Sequence, residues 1–267
     1  MIHRQHFGFK QEPFPRDIAT KDLLKLPSLV GVKERLDYCL NIGGVMLVFG
    51  DVGSGKTTAL RWAFSHYHSS DVKILELVAT SGSISELYRQ IAGCLDLQAK
   101  TLSRVVLLNE CKKVIREMAT GKKQRIILCI DEAQLLRREV LAELHTITNF
   151  DQDGSNFLTL LMCGTPSLIE HLQYRIASPL ASRVMSKAQI RALKQPEMEE
   201  YLNHHLRVAG VKSSLFDPNA ITAIQQGSAG GLRRANQLAA GGLVAAANEN
   251  CKMVSADHIR TASSELL

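Results

Sequence analysis

No stretch of the 267-residue sequence approaches the roughly 20 consecutive apolar residues that a membrane-spanning helix needs. The run Phe157–Cys163 has the length of a strand, and Leu238–Ala247 is rich in Ala and Gly and too short to span. Met1–Lys10 is polar and aromatic, so a secretory signal is not expected. The six cysteines, at 39, 94, 111, 129, 163 and 251, form no C-x-x-C pair, which argues against a zinc site or a disulfide framework. Cys129 and Cys163 stand inside apolar runs and read as small core hydrophobes. A reduced, cytoplasmic protein with no membrane partner is the expectation. Aromatic residues are scarce, at 5% with one Trp, and none interleave with basic residues. Base stacking of the single-strand-binding kind is therefore not indicated. Internal repeats and low-complexity linkers are also missing.

What remains is ordinary globular composition, 45% hydrophobic and 22% charged. The net charge is +6, and it is uneven. Residues 196–267 hold six Lys/Arg against seven Asp/Glu, a net of −1, which leaves +7 on the first 195 residues. Positive charge of this kind favours polyanions, nucleic acid first among them.

The first thirty residues, with Phe7, Phe9, Pro13, Phe14, Pro15 and Pro27, show little periodicity and read as an extension. Apolar runs of strand length then alternate with helical patterns. Strands are expected at Val45–Phe49, Val72–Val78, Ile126–Ile130 and Phe157–Cys163. Helices are expected at Val32–Leu40, Thr57–His66, Ile84–Cys94, Leu102–Met118, Arg138–Thr148 and Pro166–Leu172. Ser83 with Glu86 three residues on has the form of a capping box. Strands apolar throughout, alternating with helices, imply a parallel sheet covered on both faces. After about Gln195 only helical patterns follow, at Pro196–Ala209, Pro218–Gln226, Leu232–Asn248 and Ser255–Leu267. The expected organisation is an extension over 1–30, an α/β three-layer core over 31–195 and a small all-helical lid over 196–267.

Residues Gly50-Asp51-Val52-Gly53-Ser54-Gly55-Lys56-Thr57, with Thr58 next, fit the P-loop pattern G-x-x-x-x-G-K-[ST] between a strand and a helix. Glycines let the backbone curl so that its N–H groups face a polyphosphate, and the helix start adds its positive end. Lys56 is expected on the β- and γ-phosphates of ATP and Thr57 on Mg²⁺. The strand Ile126–Ile130 ends in Asp131-Glu132, as a Walker B strand does. Asp131 is expected to hold Mg²⁺ beside Thr57, and Glu132 to orient and deprotonate the attacking water. Thr165, after the fourth strand, is either a contact to the γ-phosphate or water, or a turn residue before Pro166.

The P-loop, the ending Asp131-Glu132-Ala133-Gln134 and the lid motif resemble the AAA+ ATPases, and within them the ExeA-like group. The opening Phe7-Gly8-Phe9 with Glu12-Pro13-Phe14, and Thr148-Asn149-Phe150-Asp151, are similar to that group. The resemblance implies rings or helical assemblies with ATP between subunits. Arg183 would be the arginine finger offered to a neighbour. Arg233, with Arg234 as the second choice, would be the sensor 2 residue in Gly230-Gly231-Leu232-Arg233-Arg234-Ala235. Pro13 and Phe14 would either pack near the adenine or anchor the core.

The ExeA-like group includes secretion proteins, whose ATPase domain is followed by a membrane helix and a cell-wall-binding region. It also includes ATPases that work with DDE transposases, resembling TnsC, TniB and the Mu B protein. A basic chain that stops soon after the lid is expected to follow the second pattern, binding double-stranded target DNA with ATP and recruiting the transposase. The resemblance places DNA-facing segments at Thr80-Ser81-Gly82-Ser83 and Lys100-Thr101-Leu102-Ser103-Arg104, of which Thr80, Ser81, Ser83, Lys100, Thr101, Ser103 and Arg104 would touch phosphates. The basic group Lys112, Lys113, Arg116, Lys122, Lys123 and Arg125 ranks second. A nucleotide-gated scaffold or signalling protein with little turnover is the remaining alternative.

Overall fold

The computed structural model describes residues 2–98, 103–150 and 156–266. A short helix, α1 (Ile2–Phe7), precedes α2 (Pro27–Ile42) and the first strand, β1 (Gly44–Gly50). Then come α3 (Lys56–Phe64), β2 (Val72–Val78), α4 (Ile84–Cys94), α5 (Arg104–Gly121), β3 (Arg125–Asp131), α6 (Arg138–Thr148), β4 (Leu158–Gly164), α7 (Ser167–Gln173), α8 (Ser178–Ala181) and β5 (Val184–Ile190). Four helices complete the described chain: α9 (Gln195–Val208), α10 (Pro218–Ser228), α11 (Leu232–Asn248) and α12 (Ala256–Ser264).

The chain forms two compact units. One is Pro27–Gly50 with Lys56–Ile190; the other gathers the residues up to Leu26, the loop Asp51–Gly55 and the chain from Arg191.

The first unit is a five-stranded parallel sheet in the order β2-β3-β4-β1-β5 with flanking helices. Its central strands are apolar because helices cover both faces. All seven residues of β4 are buried, as are five of seven in β3 and β1. Each buried Leu or Ile contributes about 1.5–3 kcal/mol by leaving water, and the largest fully buried side chains include Leu47, Leu75, Ile127, Leu128 and Ile130. Ser83 caps α4 as a complete capping box, its Oγ accepting from Glu86 N while its own N–H donates to the Glu86 carboxylate. The sheet holds one strand more than the four the apolar runs indicate. In β5 Ser186, Lys187 and Gln189 interrupt the apolar run, and Met185, Lys187 and Gln189 are exposed, because it is an edge strand covered only in part.

In the second unit, α9 to α12 build their own core around Met198, Leu202, Leu238 and Leu243. Residues near the N-terminus are part of it. Phe9 is buried there, Lys10 N donates to Ala209 O at 2.9 Å, and His6 Nε2 lies 2.8 Å from Cys251 O. Phe14 stacks on His205 and meets Phe216 edge-on, and His205 Nδ1 lies 2.7 Å from Pro13 O. Of the two roles open to Pro13 and Phe14, these contacts are those of core anchors.

Candidate functional site

Parallel α/β sheets gather ligands at the carboxyl ends of their strands, where the strand order reverses. Here β1 lies between β4 and β5 while the chain goes on to β2 at the far edge. The carboxyl ends of β1, β3 and β4 therefore come to one edge of the sheet.

Within the loop, Gly53 and Gly55 have φ of +77° and +97°, a region that L side chains adopt only with strain. A Cβ on Gly53 would stand 2.9 Å from Arg233 Cβ, and one on Gly55 2.9 Å from Leu232 Cδ1. Conformation and close approach both demand glycine. Arg233 N donates to Gly53 O at 3.0 Å, which ties the first turn of α11 to the loop. Ser54 Oγ is buried and makes no hydrogen bond within the protein. An unsatisfied buried hydroxyl inside a glycine-shaped concavity suits an oxygen-rich ligand.

Lys56 begins α3 and is only 7% exposed; its Nζ donates to Gly50 O at 3.0 Å. Thr57 Oγ1 donates to Asp131 Oδ2 at 3.0 Å. Asp131 Oδ1 accepts the Glu132 N–H at 2.8 Å. One carboxylate thus faces the P-loop threonine and also fixes the next backbone turn, where Glu132 sits in the left-handed region at φ +52°. Beyond it, Gln134 Nε2 donates to Glu132 Oε2 at 2.6 Å, and Thr165 N donates to Gln134 Oε1 at 3.1 Å. The Thr165 hydroxyl pairs with Ser167 Oγ at 2.8 Å. Burial pushes the Cys163 thiol far above its usual range, with the neighbouring Asp131 carboxylate adding to the effect. Burial also pushes the Cys39 and Cys111 thiols up to about 11. None of these thiols is a nucleophile at neutral pH.

Arg183 lies elsewhere. It precedes β5, and its carbonyl accepts from Val45 N near the start of β1. The seven residues of β1 span about 20 Å, so Arg183 stands at the sheet edge opposite its own P-loop. Its guanidinium donates to Pro179 O at 2.7 Å and Asn149 Oδ1 at 3.0 Å. Among the DNA-facing residues, Lys100 and Thr101 lie outside the described residues. Ser83 is occupied as a helix cap, and Arg104 makes a double hydrogen bond with Glu143, at 2.9 and 3.0 Å. Thr80, Ser81 and Ser103 are exposed.

One group with metal-ligand chemistry lies apart. Glu249, Cys251 and His258 bring ligand atoms within 4.8 Å of one another. However, Ser255 N donates to His258 Nδ1 at 2.9 Å, so the neutral ring carries its proton on Nε2, which faces Glu249 Oε2 at 3.1 Å. This is the cap of α12. Among the described residues no helix is long and apolar enough to cross a membrane.

Residues 42–172, which contain the P-loop, the Asp131-Glu132 strand end and Thr165, match the family model described as the AAA domain. The α/β core is thus of the P-loop AAA type. The chain is 27% identical over 248 residues to general secretion pathway protein A of Aeromonas hydrophila, covering 92% of this chain and 45% of that protein. It therefore spans less than half of that relative. Among solved structures, the Aeropyrum pernix ORC2 protein in ADPNP–ADP complexes superposes with a TM-score of 0.71 at 19% identity, over 96% of this chain and 72% of that one. The Aeropyrum pernix ORC1 protein in complex with DNA gives 0.69 at 18% identity, over 97% and 70%. At these identities the likeness is one of fold. ATP with Mg²⁺ is the cofactor pair of AAA domains, and the donors present fit it. Mg²⁺ takes oxygen ligands, and Thr57 and Asp131 supply a hydroxyl and a carboxylate 3.0 Å apart.

Sequence reasoning assigned no role to Gln134. One partner, Glu132, is two residues back, but the other, the Thr165 N–H, is 31 residues from Gln134, and only the turn after β3 brings them together.

Proposed function

We propose that this AAA domain hydrolyses ATP and that its nucleotide state controls assembly on duplex DNA. The observation that carries the reading is the Thr57–Asp131 pair with Glu132 one residue on. In the reaction a water oxygen attacks the γ-phosphorus and the bond to the β-phosphate bridging oxygen breaks. The water proton passes to Glu132, and ADP and inorganic phosphate leave. Thr57 and Asp131 would hold Mg²⁺, which would supply positive charge to the phosphates. Lys56 exchanges its bond to Gly50 O for phosphate oxygens, which are stronger acceptors. The P-loop backbone from Gly50 to Thr58 wraps the phosphates, with Arg233 beside Gly53 as the sensor. Thr165 stands where the γ-phosphate or the attacking water is read. Arg183 serves a neighbouring subunit, since its own loop is out of reach.

Duplex DNA as the surface of assembly is supported by the +7 charge on residues 1–195. Thr80, Ser81, Ser83, Lys100, Thr101, Ser103 and Arg104 are the proposed phosphate contacts. By the resemblance to transposition helpers, the partner recruited is a DDE transposase. The Aeromonas relative favours a second reading, the ATPase part of a secretion-pathway protein. Duplex binding with particle size measured in ATP and in ADP separates the two. ATP-dependent binding that weakens steeply with salt, with larger particles in ATP, supports DNA assembly. No ATP-dependent binding at low salt removes that reading and leaves the secretion one.

A further inference from the structure

A peptide N–H can only donate. The Thr165 N–H therefore compels the Gln134 side chain to turn its oxygen, Oε1, towards it. The amide NH₂ is left pointing the other way, and it donates to Glu132 Oε2 at 2.6 Å. No flipped amide satisfies both contacts. The backbone is arranged for this bridge. Glu132 adopts φ +52°, a conformation that strains a non-glycine residue. The Ala133–Leu135 turn, closed by Leu135 N to Glu132 O at 2.8 Å, then folds Gln134 back towards β4. At Gly164 a Cβ would stand 2.5 Å from Gln134 Oε1, so the glycine leaves the amide its place.

We propose that Gln134 is the positioning residue for the base Glu132, linking its carboxylate to the tip of β4. The inference rests on the ATP-hydrolase reading above. Anchoring Oε2 restricts rotation of the carboxylate and leaves the other oxygen to take the water proton. A shift of the Thr165 backbone, at the tip that faces the nucleotide, moves Gln134 and with it the aim of Glu132. A bond that only held the turn together would contribute to folding and leave proton transfer alone.

The test uses the full chain with ATP and Mg²⁺, with and without duplex DNA, and three substitutions. Gln134→Met keeps the length and removes both bonds; kcat falls about tenfold or more while KM and ATP affinity stay within about twofold. Gly164→Ala displaces the amide with residue 134 intact and gives the same split. Gln134→Glu keeps the acceptor for Thr165 but sets two carboxylates against each other. The Nε2 donor that anchors Glu132 is gone, so kcat falls as in Gln134→Met while ATP affinity stays within about twofold. Wild-type turnover with a silent Glu132→Gln variant, together with a Gln134→Met kcat within about twofold of wild type, overturns the role of Gln134 alone. A Gln134→Glu kcat within about twofold of wild type does the same. Absence of turnover in the wild-type chain under both conditions brings down the hydrolase reading, and this role with it.

Discussion

Thr57 and Asp131, 74 residues apart, meet at 3.0 Å, the hydroxyl donating to Oδ2. The other oxygen of the same carboxylate holds the Glu132 backbone N–H at 2.8 Å. Asp131 therefore connects the proposed metal ligand Thr57 to the residue proposed as base. If Mg²⁺ enters here, it replaces a hydrogen bond already formed between its two ligands, so little rearrangement is needed.

Thr57→Ala removes one of these donors and leaves the P-loop backbone in place. The Mg²⁺ concentration for half-maximal ATP turnover is expected to rise by about tenfold or more, a loss the size of one ligand interaction. Thr57→Ser is expected to recover most of it. A Mg²⁺ titration of both variants checks this; unchanged Mg²⁺ dependence in the alanine variant contradicts the assignment.

Arg183 stands about 20 Å from its own P-loop by the length of β1, so its proposed role requires a second subunit. Arg183→Ala and Lys56→Ala are each expected to be inactive alone, the first by about 10³-fold or more. Mixed, they form interfaces in which Lys56 of one subunit meets Arg183 of another, and part of the activity returns. Turnover of the mixture against each variant alone reads this directly. No recovery in mixtures that do co-assemble contradicts action between subunits.

The central strands were legible because burial on both faces leaves an unbroken apolar run: β2 matches its expected bounds, and β1, β3 and β4 differ from theirs only at the ends. The Ser83–Glu86 capping box was legible because it is local. The edge strand β5 escaped detection because Ser186, Lys187 and Gln189 break its apolar run. The first 26 residues gave no pattern because their partners are remote: Pro13 O lies against His205, 192 residues away. The juxtaposition of Thr57 and Asp131 could be read from spacing, whereas the Gln134 bridge depends on a turn and a peptide N–H that spacing does not reveal.

His205 gives a pH prediction. Burial lowers its pKa from 6.5 to about 4; the bond to Pro13 O acts the other way, and neighbouring His204 lowers it further. As pH falls the unfolded chain takes up this proton first. The stability held by neutral His205 is complete above pH 6.5 and is lost as pH falls towards 4. The loss is of order 3 kcal/mol for this buried ring. Urea unfolding between pH 7 and 4.5 is expected to show falling stability, with a shallower slope in His205→Gln. An equal slope in the variant contradicts this origin.

The central claim is that Glu132 accepts the proton from the attacking water. The most direct measurement is ATP binding and ATP turnover of Glu132→Gln beside the wild-type chain, with Mg²⁺. The account predicts ATP affinity within a few-fold of wild type and turnover reduced by about 10²-fold or more. Ordinary turnover in Glu132→Gln contradicts it.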